Sequence, residues 1–536
     1  MPSRCTGHVA DGENLSRYNR VCNRQPAEDS PVNDERPISE LLQLQQATED
    51  ASRPEAVASR RRKGYRTARE TLDDLCDAGS FIEYGQLAVA AQRNRRSLED
   101  LRSSTPADGV ITGLATINAE EFGPGASQVA VAVYDYTVLA GTQGYFHHRK
   151  LDRILEVAGR ELLPIVMYTE GGGGRPGDTD VTTQIAGLNL PTFARWAGLT
   201  GVVPRIAVNN GYCFAGNAAL FGSADLRVAT RSSCIGMAGP AMIEGGGLGR
   251  FEPTAIGPAD VQSRNGVIDR VCADEAEATA CARQLLGYFQ GSTRSFECAD
   301  QSVLAGLLPA DRRYSYHVRH VIETLADTGS FLEVTAGFGG AIVTGFLRLE
   351  GRPLGLIASD CRVLGGAIDA DAAEKAARFL RLCSNHGLPV LSLCDTPGFM
   401  VGPASEEQAA VRHMSDLFVA GSQLEVPLVA IFLRKAYGLG AMAMAGGSFV
   451  EPVYAAAWPN GEFGGMGLEG AVRLGFRKEL EAESDPEKKE ALFESLLAKL
   501  YDKGRAIEAA THLEIDAVID PADTRRHASR ALAAAG

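Results

Sequence analysis

The chain repeats itself. Asp77-Ala-Gly-Ser-Phe-Ile-Glu83 returns as Asp327-Thr-Gly-Ser-Phe-Leu-Glu333, 250 positions later. Val110-Ile-Thr-Gly113 returns as Ile342-Val-Thr-Gly345, 232 positions on, and Leu163-Pro-Ile-Val-Met-Tyr-Thr-Glu170 as Leu388-Pro-Val-Leu-Ser-Leu-Cys-Asp395, 225 positions on. Val203-Pro-Arg-Ile-Ala207 matches Val426-Pro-Leu-Val-Ala430, and Met237-Ala-Gly-Pro240 matches Met466-Gly-Leu-Glu469, at 223 and 229. Ordered matches with slowly drifting offsets are what duplication followed by loop insertion and deletion leaves behind. The chain therefore holds two copies of one unit, with domains expected at 56–300 and 301–536.

Each copy shows the same local grammar. Short apolar, β-branched runs end in glycines and pass into helical stretches, as in Leu162–Tyr168 before Gly171–Gly174 and Val202–Val208 before Gly211–Ala219. Such alternation predicts an α/β fold with buried strands. Strand, glycine turn and helix start also aim backbone N–H groups outward. Residues 1–55 are polar and poor in aromatics, which predicts a disordered extension, with a helix starting near Ser39. The basic run Arg60-Arg61-Arg62-Lys63 reads either as a solvated helix face or as a contact for an anionic ligand. Pro486–Leu500 reads as a charged helix able to pack across another subunit.

Composition excludes several classes. A net charge of -14 argues against nucleic acid or an anionic membrane as the main partner. Eleven cysteines without a CxxC pair give neither a zinc ribbon nor a disulfide framework, and fit a reducing, cytoplasmic setting. No metal site is expected. No apolar stretch is long enough for a bilayer, and the first residues carry no secretory pattern.

Three segments carry the chemistry. Glu170-Gly-Gly-Gly-Gly-Arg175 permits a sharp turn and close approach of a ligand to the backbone. Its second-copy counterpart is Cys394-Asp-Thr-Pro-Gly-Phe399. Asn210-Gly-Tyr-Cys-Phe-Ala-Gly-Asn217 pairs with Arg434-Lys-Ala-Tyr-Gly-Leu-Gly-Ala441, and both lead small residues into a helix. The glycine segments hold no Ser-His-Asp set, no HExxH and no close carboxylate pair.

Together GVITG, EGGGGR, NGYCFAGN, GAIDADAAEKAARFLRLC, DTPGFMVG, RKAYGLGAM and AWPNGEFGGMGLEGA resemble the carboxyltransferase β subunits of biotin-dependent acyl-CoA carboxylases, over residues 56 to 525. The resemblance implies two tandem crotonase-like ββα-spiral domains. It also implies a site shared between the N-half of one subunit and the C-half of another in a homo-oligomer, usually a hexamer. Aligning the family's DSGGAR on Arg175 gives Gly172 and Gly173 as donors to the thioester oxygen as it becomes an enolate. Aligning RKAYGGAYD gives Gly440 and Ala441 as donors to the ureido oxygen of biotin. Gly216 matches a family glycine, and Arg175, Ala443 and Tyr437 are expected to contact substrate. His147 and Lys150 match family residues and are expected to be structural, and Asp395 is expected to bond local backbone.

The chain departs from the pattern in three places. Glu170-Gly171 replace Asp-Ser, one residue is added near Leu439, and Ala443 stands where Asp or a bulkier apolar residue is usual. Ala443 suggests a roomier acyl pocket, and EGGGGRPGDTD is similar to the carboxyltransferase regions of some long-chain or multidomain members. The reaction implied is transfer of CO2 from carboxybiotin to the α-carbon, or a vinylogous γ-carbon, of an acyl-CoA. Ala441-Met-Ala-Met444 has no lysine for biotin and there is no P-loop. Partners are therefore implied: a biotin carboxylase and a biotin carboxyl carrier. Competing readings are a biotin-dependent decarboxylase subunit, a biotin-free crotonase-type hydratase or isomerase, and a non-catalytic structural subunit.

Overall fold

A computed structural model describes residues 36–181 and 187–535. The chain divides into two units, Met1–Leu44 and Gln45–Gly536. The described part of the first unit lies in the helix Arg36–Gln46, with a proline in its first turn and Ile38, Leu41 and Leu42 on one stripe. This is the helix expected near Ser39, started slightly earlier. The rest of the expected extension, 1–35, lies outside the described residues. Residues 45–55 are tied into the second unit: Arg53 pairs with Asp135 at 2.9 Å and Thr67 donates to Asp50 at 2.5 Å. The polar extension thus ends short of 55, because its charges find partners.

Among the described residues the first half has nine strands: β1 (Ile82–Tyr84), β2 (Val110–Thr116), β3 (Gln128–Tyr134), β4 (Ile165–Tyr168), β5 (Arg205–Asn209), β6 (Tyr212–Phe214), β7 (Leu226–Thr230), β8 (Cys234–Gly236) and β9 (Arg270–Cys272). Seven form one sheet in the order β1-β2-β3-β4-β5-β7-β9, and β6 pairs separately with β8. The first two pairings are antiparallel and the rest parallel. The second half supplies β10 (Leu332–Val334), β11 (Ile342–Leu349), β12 (Arg352–Ser359), β13 (Val390–Thr396), β14 (Leu428–Tyr437), β15 (Tyr454–Ala457), β16 (Glu462–Gly464) and β17 (Ala517–Val518). Its sheet runs β10-β11-β12-β13-β14-β15-β17 with the same sequence of senses, and β16 lies on the end of β14. The parallel strands are buried on both faces, so they read as unbroken apolar runs rather than alternating ones.

The repeated motifs have repeated jobs. A Cβ at Gly113 would lie 2.5 Å from the Phe81 ring, and one at Gly345 2.9 Å from the Phe331 ring, so each strand is glycine where its own phenylalanine crosses it. Asp77 accepts the amides of Asn118 and Ala119, and Asp327 those of Glu350 and Gly351, so each pins the turn between the second and third strands of its sheet. Arg69 pairs with Glu83 and Arg319 with Glu333. The drifting offset also has locations: Gly85–Gly109 joins β1 to β2 where only 335–341 joins β10 to β11, and a helix, Ala119–Ala126, replaces the tight Glu350-Gly351 turn.

One buried apolar cluster runs from Val131 and Val208 through Tyr288 to Phe346 and Phe432. Tyr288 stacks on Phe346 at 5.2 Å and donates to the Ser330 carbonyl. Helix Pro486–Lys503 buries Phe493 and Leu497 against Leu468, Val472 and Leu480 of its own chain. That apolar stripe is covered from within, and the charged face of the helix stays exposed.

Candidate functional site

In the first half, β4 ends at Tyr168 and the chain turns through Gly171–Gly174. Gly171 donates to the Tyr212 carbonyl at 2.8 Å and accepts from Phe214 at 3.0 Å, which fastens the turn to β6. A Cβ on Gly171 would sit 2.1 Å from the Gly141 carbonyl oxygen, so glycine is required there. Gly173 has φ +89°, a left-handed conformation that favours glycine. Its carbonyl accepts from Gln143 at 2.8 Å, while Arg175 donates to the Gln143 carbonyl at 2.8 Å. This bracket exposes the amide of Gly174 between its two bonds, and among the described residues that N–H has no acceptor. Facing the turn is helix Gly216–Gly222, whose N-cap Ala215 is held at φ 52°.

The second half builds the same object. Thr396 pairs with Ala436 across β13 and β14, as Gly171 pairs with Cys213. Gly398, at φ +116°, accepts from Ile368 at 3.0 Å, and Met400 donates to the Ile368 carbonyl at 2.8 Å. Here the bracketed amide is that of Phe399, also without an acceptor among the described residues. The facing helix is Gly438–Met444, with Gly438 at φ +57° where the first half has Ala215. Counting from the paired Cys213 and Ala436, Asn217 is equivalent to Gly440. A Cβ on Gly440 would meet the Cα of Gly398 at 2.7 Å and the nitrogen of Phe399 at 2.9 Å.

Several expected site residues have other duties. Gly172 donates to the Ala140 carbonyl at 3.2 Å and Gly173 to Asn217 Oδ1 at 3.0 Å, so neither amide is free. Gly216 is one of the three opening amides of its helix, which have no intrahelical acceptor. Gly440 holds the third such place in the helix from Gly438, but Ala441 is the first residue whose N–H has an intrahelical acceptor, the carbonyl of the N-cap Tyr437. Counted from the paired Cys213 and Ala436, the second helix opens one position earlier than the first.

Arg175 is not presented to a substrate. Its side chain is 5% exposed, with Nη2 on Asp108 at 2.6 Å and Nε on Asp178 at 2.9 Å. Burial raises the Asp108 carboxyl to about 6 despite that guanidinium. Tyr437 is buried and donates its hydroxyl to Glu462 at 2.8 Å, and Ala443 lies inside the apolar core rather than on a pocket wall. His147 and Lys150 are structural. Lys150 Nζ donates to the carbonyls of Ala107 and Val110 at 3.0 and 2.5 Å, and burial drives the His147 pKa well below its ordinary value. Asp395 accepts the Lys435 amide at 3.0 Å and also pairs with Arg434 at 3.0 Å. No group of three or more His, Cys, Asp or Glu among the described residues is placed to hold a metal ion, and no described helix is long and apolar enough to cross a membrane.

Two residues that organise the turns went unread in the sequence. Asn217 accepts from Gly173 and donates Nδ2 to the Thr169 carbonyl at 3.0 Å, stapling both sides of the first turn. Arg60, one of the four basic residues, is buried and forks onto Glu170 at 2.9 and 2.5 Å. Arg61, by contrast, is 62% exposed beside Glu70. Burial raises the pKa of Glu170, and Arg60 opposes that rise. A helix-face pattern does not distinguish which arginine turns inward.

Each turn therefore offers neutral backbone donors and no titratable group of its own. Such an arrangement suits an oxygen on which charge develops, rather than proton transfer by a side chain. The description that matches the sequence is the carboxyl transferase domain, over residues 59–536. The methylmalonyl-CoA carboxyltransferase 12S subunit of Propionibacterium freudenreichii subsp. shermanii is 32% identical over 510 residues, covering 92% of this chain and 93% of that one. A crystal structure of the transcarboxylase 12S hexamer, with methylmalonyl-CoA and methylmalonic acid bound, aligns at a TM-score of 0.81 and 29% identity over 96% of both chains. A single-chain, multi-domain long-chain acyl-CoA carboxylase aligns at 0.87 and 55% identity over 92% of this chain, which spans 48% of that longer one.

Proposed function

We propose, on the premise that this chain belongs to the carboxyl transferase family, that its two glycine turns hold the two oxygens of a carboxyl transfer. The chain is a carboxyltransferase of the biotin-dependent acyl-CoA carboxylase type. The observation that carries the division of labour is the recurrence of one bracket, Gln143-Gly173-Arg175 and Ile368-Gly398-Met400, beside a helix start in both halves. Residues 56–300 and 301–536 are then two crotonase-like domains from one duplication. In the first, Gly174 and Gly216 take the role expected of Gly172 and Gly173, and donate to the acyl thioester oxygen as it gains enolate charge. In the second, Phe399 and Gly440 donate to the ureido oxygen of biotin.

The donor set fits biotin. A ureido oxygen is neutral before reaction and needs N–H donors rather than a cation, and the Gly440 cradle leaves no room for a Cβ. Bound biotin, carried on a partner protein, supplies the carboxyl group that is transferred. What this chain contributes is orientation and two fixed sets of dipoles, each donor lowering the barrier by about 3 kcal/mol. The substrate we propose is a long-chain acyl-CoA, supported by the 55% identity to the long-chain carboxylase. The working form is a hexamer in the cytoplasm that meets a biotin carboxylase and a biotin carboxyl carrier.

The test is reverse transfer with purified protein, biocytin, and malonyl-, methylmalonyl-, 3-methylglutaconyl- and long-chain alkylmalonyl-CoA. Biocytin-dependent loss of the carboxyl group, fastest with the long-chain thioester, is the expected result. Absence of turnover with every thioester, with the biotin carrier also present, would reject the proposal.

A further inference from the structure

We infer that Arg60 is a positioning residue for the first glycine turn, and that helix Pro54–Arg62 latches that turn from outside the sheet. This rests on the reading that the turn binds the thioester oxygen.

Glu170 is the residue on which the turn opens, and it is buried together with Arg60. All three guanidinium nitrogens are engaged. Nη1 and Nη2 take one oxygen each of Glu170, at 2.9 and 2.5 Å, and Nε donates to the Arg66 carbonyl at 2.9 Å. Its carbon lies 4.5 Å from the centre of the Tyr65 ring and 5.4 Å from that of Tyr136. The planar fork fixes both the position and the rotation of the carboxylate, which a lysine could not do.

The second half shows what this arrangement replaces. Asp395, equivalent to Glu170, pairs with Arg434 at 3.1 and 3.0 Å, and Arg434 belongs to β14 itself. The position equivalent to Arg434 in the first half is Gly211, by the register that pairs Gly171 with Cys213 and Thr396 with Ala436. A Cβ on Gly211 would lie 2.4 Å from Glu170 Oε1. The longer carboxylate thus fills the space an in-sheet arginine would use, and its counter-charge arrives from 110 residues upstream. A buried carboxylate without its partner is strongly unfavourable, so this turn depends on the N-terminal helix whereas the other does not.

The experiment compares the full-length parent with Arg60→Ala, Arg60→Lys, the control Arg61→Ala, and the transplant Arg60→Ala/Glu170→Asp/Gly211→Arg, which gives the first half the second half's ion pair. KM for the carboxylated thioester and KM for biocytin are measured separately, together with amide hydrogen exchange at 171–174 and 396–399. Arg60→Ala should raise the thioester KM about tenfold or more, leave the biocytin KM unchanged, and speed exchange only at 171–174. Arg60→Lys should fall short of the parent, Arg61→Ala should match it, and the transplant should bring exchange and KM back toward it. Equal exchange at 171–174 in parent and Arg60→Ala would overturn the inference, as would a folded transplant that restores neither quantity. Exchange is read without any substrate. A parent that turns over no thioester therefore counts against the proposed function, while the exchange comparison still decides the latch.

Discussion

In the first half the glycine turn is held by side chains from two helices: Asn217 caps Gly173 from the facing helix, and Arg60 holds Glu170 from helix Pro54–Arg62. In the second half the same turn is held from within the sheet and by the turn itself. Thr396 Oγ1 accepts from Gly398, two residues on, and Arg434 holds Asp395 from the adjacent strand. The backbone nevertheless follows one course in both, with the same bracket, the same positive φ and the same facing helix. What the two copies share is therefore the direction of their amides. What differs is the set of side chains that keeps those amides in place, and this is the expected divergence when the chemistry is done by main chain.

The comparison can be broken most severely at the pair Asn217 and Gly440, equivalent positions that carry a side chain in one half and cannot in the other. Gly440→Asn would drive a Cβ to within 2.7 Å of the Gly398 backbone, which has no side chain to swing aside. The turn must shift, taking the Phe399 amide with it. Loss of one aligned donor costs about 10²- to 10³-fold in rate. Carboxyl transfer by Gly440→Asn should fall by that order with the first turn's exchange unchanged. Retained activity would show that the second turn does not hold a reacting oxygen.

A sharper comparison lies beneath the turns. Lys150 and Lys375 occupy the same place in the two copies. Lys150 donates to Ala107 and Val110 carbonyls, and Lys375 to the Phe338 carbonyl at 3.0 Å. Burial lowers both from their ordinary 10.5 to about 8. A lowered folded pKa means that between pH 8 and 10.5 the unfolded chain holds more protons than the native one, so each lysine makes stability rise with pH across that window. The full contribution is roughly 3 kcal/mol per lysine. Denaturant unfolding at pH 7.5, 9 and 10.5 should show that Lys150→Met and Lys375→Met each remove about half of the rise that the double variant removes. A rise lost through one lysine alone would mean that the copies differ here too.

Much of this arrangement was legible in the sequence, and the illegible part is of one kind. The repeated Asp77 and Asp327, Phe81 and Phe331, and Gly113 and Gly345 marked the duplicated sheets because each does its work within a local turn or one strand pair. The glycine runs marked the turns because a tight approach excludes Cβ. Which amide each turn leaves free was not legible. That depends on acceptors such as the Ala140 carbonyl and Asn217 Oδ1, distant in sequence and supplied by neighbouring loops. The inward arginine of the Arg60–Lys63 run was hidden for the same reason: its partner is 110 residues away.

The mildest break is the reciprocal one. Asn217→Gly gives the first half the second half's residue and removes three hydrogen bonds, leaving the Gly173 amide and the Thr169 and Gly141 carbonyls without that partner. Glycine at 217 meets no steric objection, so the helix and its opening amides stay in place. The cost is that of unsatisfied buried polar groups, about 1–3 kcal/mol. Thr396→Val removes the equivalent cap on Gly398 together with the hydroxyl's bonds to the Gly366 and Gly398 carbonyls, and should cost about 1–3 kcal/mol as well. Thermal unfolding of the two variants should show losses of the same order. Asn217→Gly should also raise the thioester KM severalfold and leave the biocytin KM alone, with Thr396→Val doing the opposite. If both variants shifted both constants together, the two turns would be mechanically coupled, and the separation of roles drawn from their different supports would not hold.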